Sequence, residues 1–517
     1  MRAGAFLLSV AVALAVALPA DGLVPGATEA PTPVQVPAQG PLPAPAPPPA
    51  QAPGAGATPA QATVTIDPAL PGERVPREFV GLSFELADAR QLAAYGSRGN
   101  LVALLRSLGP GLLRLGGASA DTRVAWTDRL TPRPAWASSV LDMADLRGLH
   151  RLALRSGWRV LLTIGLAHYD PRAAAREAAA AKAALGPQLA GIEVGNEPDS
   201  YGRHGLRTLP WTASQYEAEV SAYRRAIAAS APGIAVAGPG VSGSRAFRQW
   251  GTAEVRRQHP ALLTGHHYPL RCDSVPAPTI EQLLSTTTRE KEAESLTRFL
   301  TVAHGSGTPF RMDESNTVSC GGRAGISDTF ASTLWAVGYI SQTIARGASG
   351  INLEGNPANC KGYSPLCAPS PARLAAGSLH AQPEWYALLL SSQLVGDRPL
   401  PTRVLAAQQP NLSVAALRTP TGALHFVVVE DEGGGAGVTL RLRVGRGFDS
   451  ASMLALRAPA PAARSGVTLG GRAVAANGSW SRPAASHRVR VREGVVSIAV
   501  PAASAMLVTV SPTRSGG

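Results

Sequence analysis

Eight short apolar runs, separated by helix-sized segments, constrain the fold of this chain more than any other feature of its sequence. The runs are Phe79–Glu85, Leu112–Gly116, Arg159–Gly165, Gly191–Gly195, Ile234–Gly238, Leu263–Tyr268, Pro309–Glu314 and Gly350–Glu354. The amphipathic stretches between them that we predict to be helices include Gln91–Leu108, Ser139–Ser156, Thr212–Ala229 and Asp328–Arg346. Strands that alternate with helices form parallel sheets, and eight such units can close into a barrel. The sequence therefore predicts an α/β fold of the TIM-barrel, (β/α)8 type.

The texture of the sequence changes after about residue 385. Short strands that often alternate in polarity follow, with turns rich in Gly and Pro: Leu424–Val429, Val438–Val444, Arg488–Val491, Val495–Val500 and Met506–Val510. This pattern predicts a C-terminal β-sandwich. We assign residues 63–385 to the barrel and 386–517 to the sandwich. The early strand Thr63–Ile66 precedes the barrel and could return to pair with the sandwich.

The N-terminus has the composition of a secretion signal at residues 1–20. Arg2 precedes an apolar run from Ala5 to Leu18, and cleavage could follow Ala20. That run is short for a membrane span, and no later segment is long and apolar enough to be one. Residues 21–62 consist mainly of Pro, Ala and Gly, which predicts a disordered linker. We expect a secreted monomer that has no membrane contact once the signal is removed.

The composition also bears on partners and cofactors. A formal net charge of +13 could attract an acidic polymer, either a polysaccharide or a nucleic acid. We expect dispersed surface arginines instead, and no nucleic acid, because no basic run has interleaved aromatic residues. The adjacent His266 and His267 would point to opposite faces of a strand, and no metal-ligand spacing occurs. The sequence therefore predicts neither a metal nor a cofactor.

Four cysteines in a secreted chain allow two disulfides in three possible connectivities. Cys360 and Cys367 are close enough in sequence to close a small loop. Cys272 and Cys320 would then form the other pair, which would join the loops after the sixth and seventh strands.

Two glutamates end apolar runs that a barrel would bring to one face. Glu197, in Asn196-Glu197-Pro198, follows the fourth run, and Pro198 cannot extend the strand. Glu314 ends the seventh run. Either glutamate alone would be a helix cap or a surface ion pair, but the carboxyl ends of barrel strands converge, so the pair can flank one bond. Retaining glycosidases hold two such carboxyl groups about 5–5.5 Å apart, and the sequence predicts this arrangement.

These residues resemble those of a known group of enzymes. Asn196-Glu197-Pro198 with the downstream Glu314 is similar to the catalytic carboxylates of the large glycoside-hydrolase clan built on (β/α)8 barrels. Further segments resemble family 79, the β-glucuronidases and heparanases: Val75–Glu85, Leu113–Gly117 with Asp121, His266–Tyr268, Glu314–Asn316, Cys320–Gly322, Ser327–Ala331 and Pro383–Tyr386. The resemblance covers about residues 65–390, and the segment from Gly321 to Phe330 is its most specific part.

The resemblance implies roles for the matching side chains. It makes Glu197 the acid/base and Glu314 the nucleophile. Asn196 would bond the sugar 2-hydroxyl, a contact that strengthens toward the transition state. The other residues implied to contact the sugar or the nucleophile are Glu85, Arg114 and Tyr268. The arginine would help to keep the nucleophile ionised, because a nearby cation lowers the pKa of a carboxylate.

A uronic acid substrate needs donors for its own carboxylate. The resemblance implies the backbone amides of Gly321 and Gly322 and the hydroxyl of Tyr363, since amides bind an anion without a second charge. The alternatives are that the two glycines form only a turn and that Tyr363 only packs in its loop. We expect Lys361 to face water. We assign Glu354, at the tip of the eighth run, to structure or to outer-site contacts.

The family resemblance implies a secreted retaining glycoside hydrolase that removes terminal β-linked glucuronic acid from glycans. The main alternative is an endo-β-glucuronidase that cleaves heparan sulfate in the manner of heparanase. Lesser alternatives are an arabinofuranosidase and a non-catalytic glycan-binding protein on a degenerate barrel. The chain departs from the family pattern at Ser319 and Ala118, where relatives offer further polar contacts, and these departures concern the tightness of uronate selection rather than the hydrolytic chemistry.

Overall fold

The computed structural model describes residues 58–130, 132–483 and 488–513. The predicted signal peptide and the part of the predicted linker before residue 58 lie outside the described residues. Within the described ranges, no helix is both long enough and apolar enough to cross a lipid bilayer.

Eight parallel strands close into a barrel, which confirms the predicted (β/α)8 fold. Each strand pairs with the next along the chain, and the eighth pairs with the first. In chain order the strands are Val80–Glu85, Leu112–Gly116, Arg159–Ile164, Leu189–Val194, Val236–Val241, Leu262–His267, Phe310–Ser315 and Gly350–Gly355. Each of them overlaps one of the eight predicted runs. The carboxyl ends of all eight therefore lie on one face.

Helices fill the connections and surround the barrel. The α-helices are Ala89–Tyr95, Leu101–Ser107, Ala118–Thr122, Met143–Ser156, Pro171–Leu185, Ala213–Ser230, Ser244–Gln258, Ile280–Leu283, Thr286–Ser306, Phe330–Ala345, Pro371–Ala376 and Trp385–Ser392. Short 3₁₀ turns occupy Leu86–Asp88, Gly186–Gln188 and Pro198–Ser200. Apolar helix faces pack against the outer faces of the strands in one continuous core.

Two of the predicted helices depart clearly from the helices of the structure. The single helix predicted over Gln91–Leu108 is two helices, interrupted where Gly99 adopts a φ of +74° and its Cα lies against the backbone of Gly377. The helix predicted from Ser139 begins at Met143. Asp142 caps it by accepting hydrogen bonds from the amides of Ala144 and Asp145 at 2.7 and 3.1 Å, because a carboxylate satisfies the unpaired N–H groups of a first turn.

The seventh strand is irregular at its carboxyl end. Its register shifts between Met312 and Glu314 against the sixth strand, and between Met312 and Ser315 against the eighth. Side chains in a regular strand alternate between faces, but a bulge changes this alternation. Asp313 and Glu314 are consecutive, and both carboxylates reach Arg114 inside the barrel.

The C-terminal strands form two sheets that share an apolar core. One sheet has the order Thr402–Ala406, Ala60–Ile66, Val438–Arg443 and Val495–Val500. The other has the order Arg398–Leu400, Leu412–Arg418, Leu424–Glu430, Ser504–Pro512, Phe448–Arg457 and Thr468–Leu469, with Arg488–Arg490 paired to Phe448–Arg457. Two small pairs complete the set: Val124–Trp126 with Ser139–Leu141, and Leu366–Cys367 with His380–Ala381.

The two ends of the described chain meet in this sandwich. Strand Ala60–Ile66 starts within the predicted linker and pairs in parallel with Val438–Arg443. The helix Trp385–Ser392, which lies at the predicted domain boundary, packs against the barrel helix Phe330–Ala345. Across the interface, Nη1 of Arg289 contacts a carboxylate oxygen of Asp431 at 2.9 Å. The sandwich is thus fastened to the helices outside the barrel, and Arg464 also contacts Asp328 in the loop after the seventh strand at 3.0 Å.

Candidate active site

The fold brings the two predicted carboxylates to one place. Nδ1 of His266 lies 3.0 Å from Oε1 of Glu197 and 3.7 Å from Oε2 of Glu314. Each of the three side chains offers an atom within 4.8 Å of the other two. The same atoms are close enough to ligate a cation, although Arg114 already supplies a positive charge 2.8 Å from Glu314. The two glutamates can therefore act on one bound molecule.

Arg114 lies at the centre of the barrel mouth with no exposed surface. Its Nη1 donates to Oε2 of Glu314 at 2.8 Å and to the hydroxyl of Ser83 at 3.2 Å. Its Nη2 donates to Oδ1 of Asn196 at 2.9 Å. One guanidinium thus fixes two of the predicted site residues, because its planar fork of donors is rigid.

Glu314 is held in its ionised form. Burial raises the pKa of its carboxyl, but the charges of His266 and Arg114 and a hydrogen bond from Tyr268 lower it further than burial raises it. The hydroxyl of Tyr268 donates to Oε1 of Glu314 at 2.9 Å, so each carboxylate oxygen has a donor. A carboxylate that stays ionised in a buried site is suited to nucleophilic attack.

A second pair of buried acids, Glu193 and Asp313, supports Arg114 from below. Nε of Arg114 lies 3.1 Å from Oε2 of Glu193 and 2.9 Å from Oδ2 of Asp313. Burial raises the pKa of Glu193, but the charge of Arg114 and a hydrogen bond from Asp313 outweigh burial and bring it to about 2. Burial and the charge of Glu193 raise the pKa of Asp313 well above its usual range. The Asp313 carboxyl therefore keeps its proton and donates it in a hydrogen bond to Glu193.

Sequence reasoning missed this acidic pair as part of the site. Glu193 stands in the middle of an apolar strand, and an acid at an inward-facing position of such a strand is the signal that could have found it. Thr163 and Thr264 donate to its two oxygens at 2.9 and 2.7 Å. Asp313 had no comparable signal, because only the bulge of the seventh strand turns it inward.

His266 joins the two glutamates. Burial lowers the pKa of its imidazole, but the charge of Glu314 and the hydrogen bond with Glu197 outweigh burial and raise it to about 10. The ring therefore carries a proton near neutral pH. His267 faces the other side of the strand, where its Nδ1 lies 3.2 Å from the hydroxyl of Ser295 on a surrounding helix. The predicted opposite orientation of the two histidines is confirmed, and only His266 belongs to the site.

The backbone at Asn196 and Glu197 is held in an unusual conformation. Glu197 has a φ of +48°, in the left-handed region, which is unfavourable for a residue with a side chain. Its amide donates to the carbonyl of Gly240 at 2.9 Å. Asp121 accepts from the amide of Asn196 at 2.8 Å and from the hydroxyl of Tyr201 at 2.6 Å. These contacts fix the direction in which the Glu197 carboxylate leaves the fourth strand.

Glu85 ends the first strand beside the second-strand loop. The amide of Ser119 donates to its Oε2 at 2.8 Å. Burial, opposed in part by hydrogen bonds from Ser119, raises its pKa. Gly117 permits this approach, because a Cβ there would lie 2.5 Å from the Glu85 carboxyl. Glu85 thus lies at the mouth of the barrel, as predicted.

The loops after the seventh and eighth strands meet at the glycine pair. The amide of Tyr363 donates to the carbonyl of Gly321 at 3.1 Å, and a Cβ on Gly322 would collide with the Tyr363 backbone. Within the described ranges, the amide of Gly322 donates to no acceptor, whereas the amide of Gly321 faces the hydroxyl of Tyr363. The hydroxyls of Tyr363 and Tyr268 lie 3.4 Å apart, so this loop pair borders Glu314. Lys361 is exposed.

Both disulfides of the favoured pairing form. Cys272 is bonded to Cys320 and joins the sixth and seventh loops, whereas Cys360 is bonded to Cys367 and closes the eighth. The loops that carry the glycine pair and Tyr363 are therefore covalently fastened. Disulfides persist mainly in oxidising compartments, which agrees with an extracellular protein.

The fold resembles solved glycoside hydrolases. A 4-O-α-L-rhamnosyl-β-D-glucuronidase from Fusarium oxysporum shares 18% identity with a TM-score of 0.69, over 86% of this chain and 100% of that one. A family 51 arabinofuranosidase from Xanthomonas axonopodis shares 14% identity with a TM-score of 0.66, over 87% and 100%. Another family 51 α-L-arabinofuranosidase, from Bifidobacterium longum, shares 13% identity with a TM-score of 0.64, over 87% and 100%. No protein-family model and no curated sequence matches the chain.

Proposed function

We propose that this protein is a retaining glycoside hydrolase. The observation that carries the proposal is an ionised, buried Glu314 with an oxygen within 4.8 Å of one from Glu197, at the carboxyl end of a closed barrel. That spacing fits a nucleophile and an acid/base on one glycosidic bond, whereas inverting enzymes leave room for a water with carboxyls about 6.5–9.5 Å apart.

In the first step, an oxygen of Glu314 attacks C1 of the sugar and forms an ester while the bond from C1 to the leaving oxygen breaks. Glu197 gives its proton to that oxygen. Asn196, oriented by Arg114 and by the Asp121 contact, is placed to bond the sugar 2-hydroxyl as positive charge develops on the ring. Arg114 and Tyr268 hold the carboxylate of Glu314 in one orientation, which avoids reorganisation during the attack.

In the second step, Glu197 takes a proton from water as the water oxygen attacks C1. The ester bond to Glu314 breaks, and its electrons return to the carboxylate. His266, which is positively charged near neutral pH, favours this return because it lies 3.7 Å from Oε2 of Glu314. The product keeps the anomeric configuration of the substrate.

We further propose that the sugar is a β-linked glucuronic acid removed from a chain end. Three neutral donors lie in the loops beside the nucleophile: the amides of Gly321 and Gly322, and the hydroxyl of Tyr363. Glucuronide chemistry is also named for one of the structures with a similar fold. We expect a secreted enzyme, since both disulfides fit an oxidising compartment.

Hydrolysis of p-nitrophenyl β-glucuronide, followed by proton NMR, tests this proposal. We expect β-glucuronic acid as the first product, which later mutarotates. First appearance of the α-anomer would contradict the retaining mechanism. Size analysis of digested heparan sulfate distinguishes exo-cleavage from endo-cleavage. Rapid chain shortening without free glucuronic acid would indicate endo-cleavage.

A second candidate is an α-L-arabinofuranosidase, because two of the similar structures carry that activity at nearly the same TM-score. Furanosides have no carboxylate and would leave the glycine amides unused. Hydrolysis of p-nitrophenyl α-L-arabinofuranoside, with no action on the glucuronide, would favour this candidate.

A further inference from the structure

Glu354 ends the eighth barrel strand as a buried carboxyl that the steps above do not use. Its exposed fraction is 4%. It stands in register with Ser83 of the first strand, whose hydroxyl accepts from Arg114 inside the barrel. Residues paired across a parallel ladder point to the same face of the sheet. The Glu354 side chain therefore points into the barrel mouth rather than toward the surrounding helices.

The groups that face Glu354 belong to the proposed site. They come from the first, second, sixth and seventh strands and from the eighth loop, and they are Glu85, Arg114, Tyr268, Glu314 and Tyr363. The backbone carbonyl of Glu354 accepts a hydrogen bond from Asn316 at 2.8 Å, which fixes the strand tip. Glu354 thus lies on the side of the mouth that carries the two tyrosines.

The surroundings of Glu354 keep it neutral. Burial raises the pKa of its carboxyl well above the usual range, and the charges of Glu314 and Glu85 raise it further. Ser83 and Arg114 lower it by less. The Arg114 guanidinium is already shared with Glu193, Asp313 and Glu314. Unlike Glu314, Glu354 forms no ion pair with a residue of the described ranges.

One oxygen of this neutral acid has no partner. Oε2 of Glu354 is buried and makes no hydrogen bond to any residue in the described ranges. Buried polar atoms are nearly always paired, so an unpaired one that faces a site is available to bond a ligand. A protonated carboxyl can supply an O–H donor there.

We propose that Glu354 donates a hydrogen bond to the carboxylate of the bound uronic acid and so selects uronides over neutral sugars. This inference rests on the proposed function and adds a donor to the Gly321, Gly322 and Tyr363 set. A neutral O–H bonds an anion strongly and adds no positive charge that would compete with Arg114 for Glu314. A second ionised carboxylate at this position would instead repel the substrate.

The test compares Glu354→Gln with the apolar variants Glu354→Ala and Glu354→Met. The amide keeps a neutral donor, whereas the apolar side chains remove it. For each folded variant, kcat and KM on p-nitrophenyl β-glucuronide and the inhibition constant of free glucuronic acid are measured. We expect Gln to stay within about threefold of the wild type, and Ala and Met to raise KM and the inhibition constant about 10–100-fold. The kcat should change much less.

The matched control is Glu292→Gln with Glu292→Ala. Glu292 is an equally buried carboxyl, but it lies outside the barrel and accepts from the indole of Trp335 at 2.6 Å. Neither control variant should change the inhibition constant of glucuronic acid. A merely structural role for Glu354 would lower kcat and leave that constant unchanged.

Two results would overturn the inference. One is a rise of about 10-fold or more in the inhibition constant for Glu354→Gln, which decides the matter even if neither apolar variant folds. The other is apolar variants that bind glucuronic acid like the wild type. Failure of the proposed function is distinguishable, because the wild type itself would then show no glucuronide hydrolysis.

Discussion

The interior of the barrel and the interior of the sandwich are both closed to water, but opposite kinds of side chain fill them. The upper barrel buries charged Arg114 and Glu193 beside Asp313, all without exposed surface. The sandwich core between the two sheets is apolar, with Phe426 and Val508 as fully buried members. Both regions are formed by parallel or antiparallel strands of similar length, so strand structure alone does not account for the difference.

The difference separates function from stability. Removing a charge from water costs several kcal/mol per ion and is recovered only by close pairing, so buried ion networks are a weak source of stability. Burial of apolar surface contributes about 25 cal/mol per Å² without such a cost. We therefore expect substitutions in the barrel mouth to change chemistry and substitutions in the sandwich to change stability.

The largest expected effect is on the nucleophile. Glu314→Gln should lower turnover of p-nitrophenyl β-glucuronide by at least about 10⁴-fold, because no covalent intermediate can form. The matched control is Glu292→Gln, which changes another buried carboxyl whose pKa burial raises to about 8 but which accepts from the indole of Trp335 outside the barrel. The control should keep activity within about threefold. Equal losses of activity in both variants would show that the loss follows from changing any buried carboxyl and not from the position of Glu314 in the barrel mouth.

The acid/base variant comes next in size. Glu197→Ala should slow hydrolysis of a natural glycan by about 10²–10⁴-fold, since general acid catalysis contributes that much. With a good leaving group the first step needs little acid, and the second step should become limiting. Azide should then partly restore the rate by attacking the ester without a base. Full activity on a natural glycan would refute the assignment of Glu197.

A sandwich substitution should have the opposite signature. Phe426→Ala should lower the free energy of unfolding by about 3–5 kcal/mol, because it leaves a cavity between the sheets. Denaturant unfolding measures this change. The kcat of the folded variant should match that of the wild type, and a change in its pH profile would show that the two interiors are coupled.

The smallest predicted effect is a shift in pH dependence. Because the pKa of Glu314 is lowered in the folded protein, its carboxyl stays ionised through the usual glutamate range. The ionised form is lost only as the pH falls through this lowered pKa. His266→Gln removes the largest charge that lowers this pKa, so the acid limb of kcat/KM should move to higher pH. An unchanged acid limb would show that Arg114 and Tyr268 keep Glu314 ionised without His266.

The barrel and the position of its carboxylates can be predicted because both depend on patterns within short segments of the sequence. Apolar runs that end in Asn-Glu-Pro or in Glu are visible without tertiary information, and strand tips of a barrel always converge. Asp313 could not be predicted, because the bulge that turns it inward depends on pairing with two neighbouring strands.

The two longest of the sandwich strands that the sequence did not predict were missed for a different reason. Leu412–Arg418 and Phe448–Arg457 are rich in Ala and Leu, which favour helices in isolation. Their strand conformation follows from pairing on both sides within the large sheet. In these two segments the hydrogen bonds to neighbouring strands outweigh the helix propensity of the residues. The sequence of one strand alone does not indicate those hydrogen bonds.

Trapping the intermediate tests the central claim most directly. A 2-fluoro β-glucuronide with a good leaving group should react once with the wild-type protein, because fluorine at C2 slows both steps and the leaving group restores the rate of the first step only. Peptide mass spectrometry should then find one fluoroglucuronyl group, attached to Glu314. A label on another residue, or complete turnover of the reagent with no label and inverted product, would contradict the account.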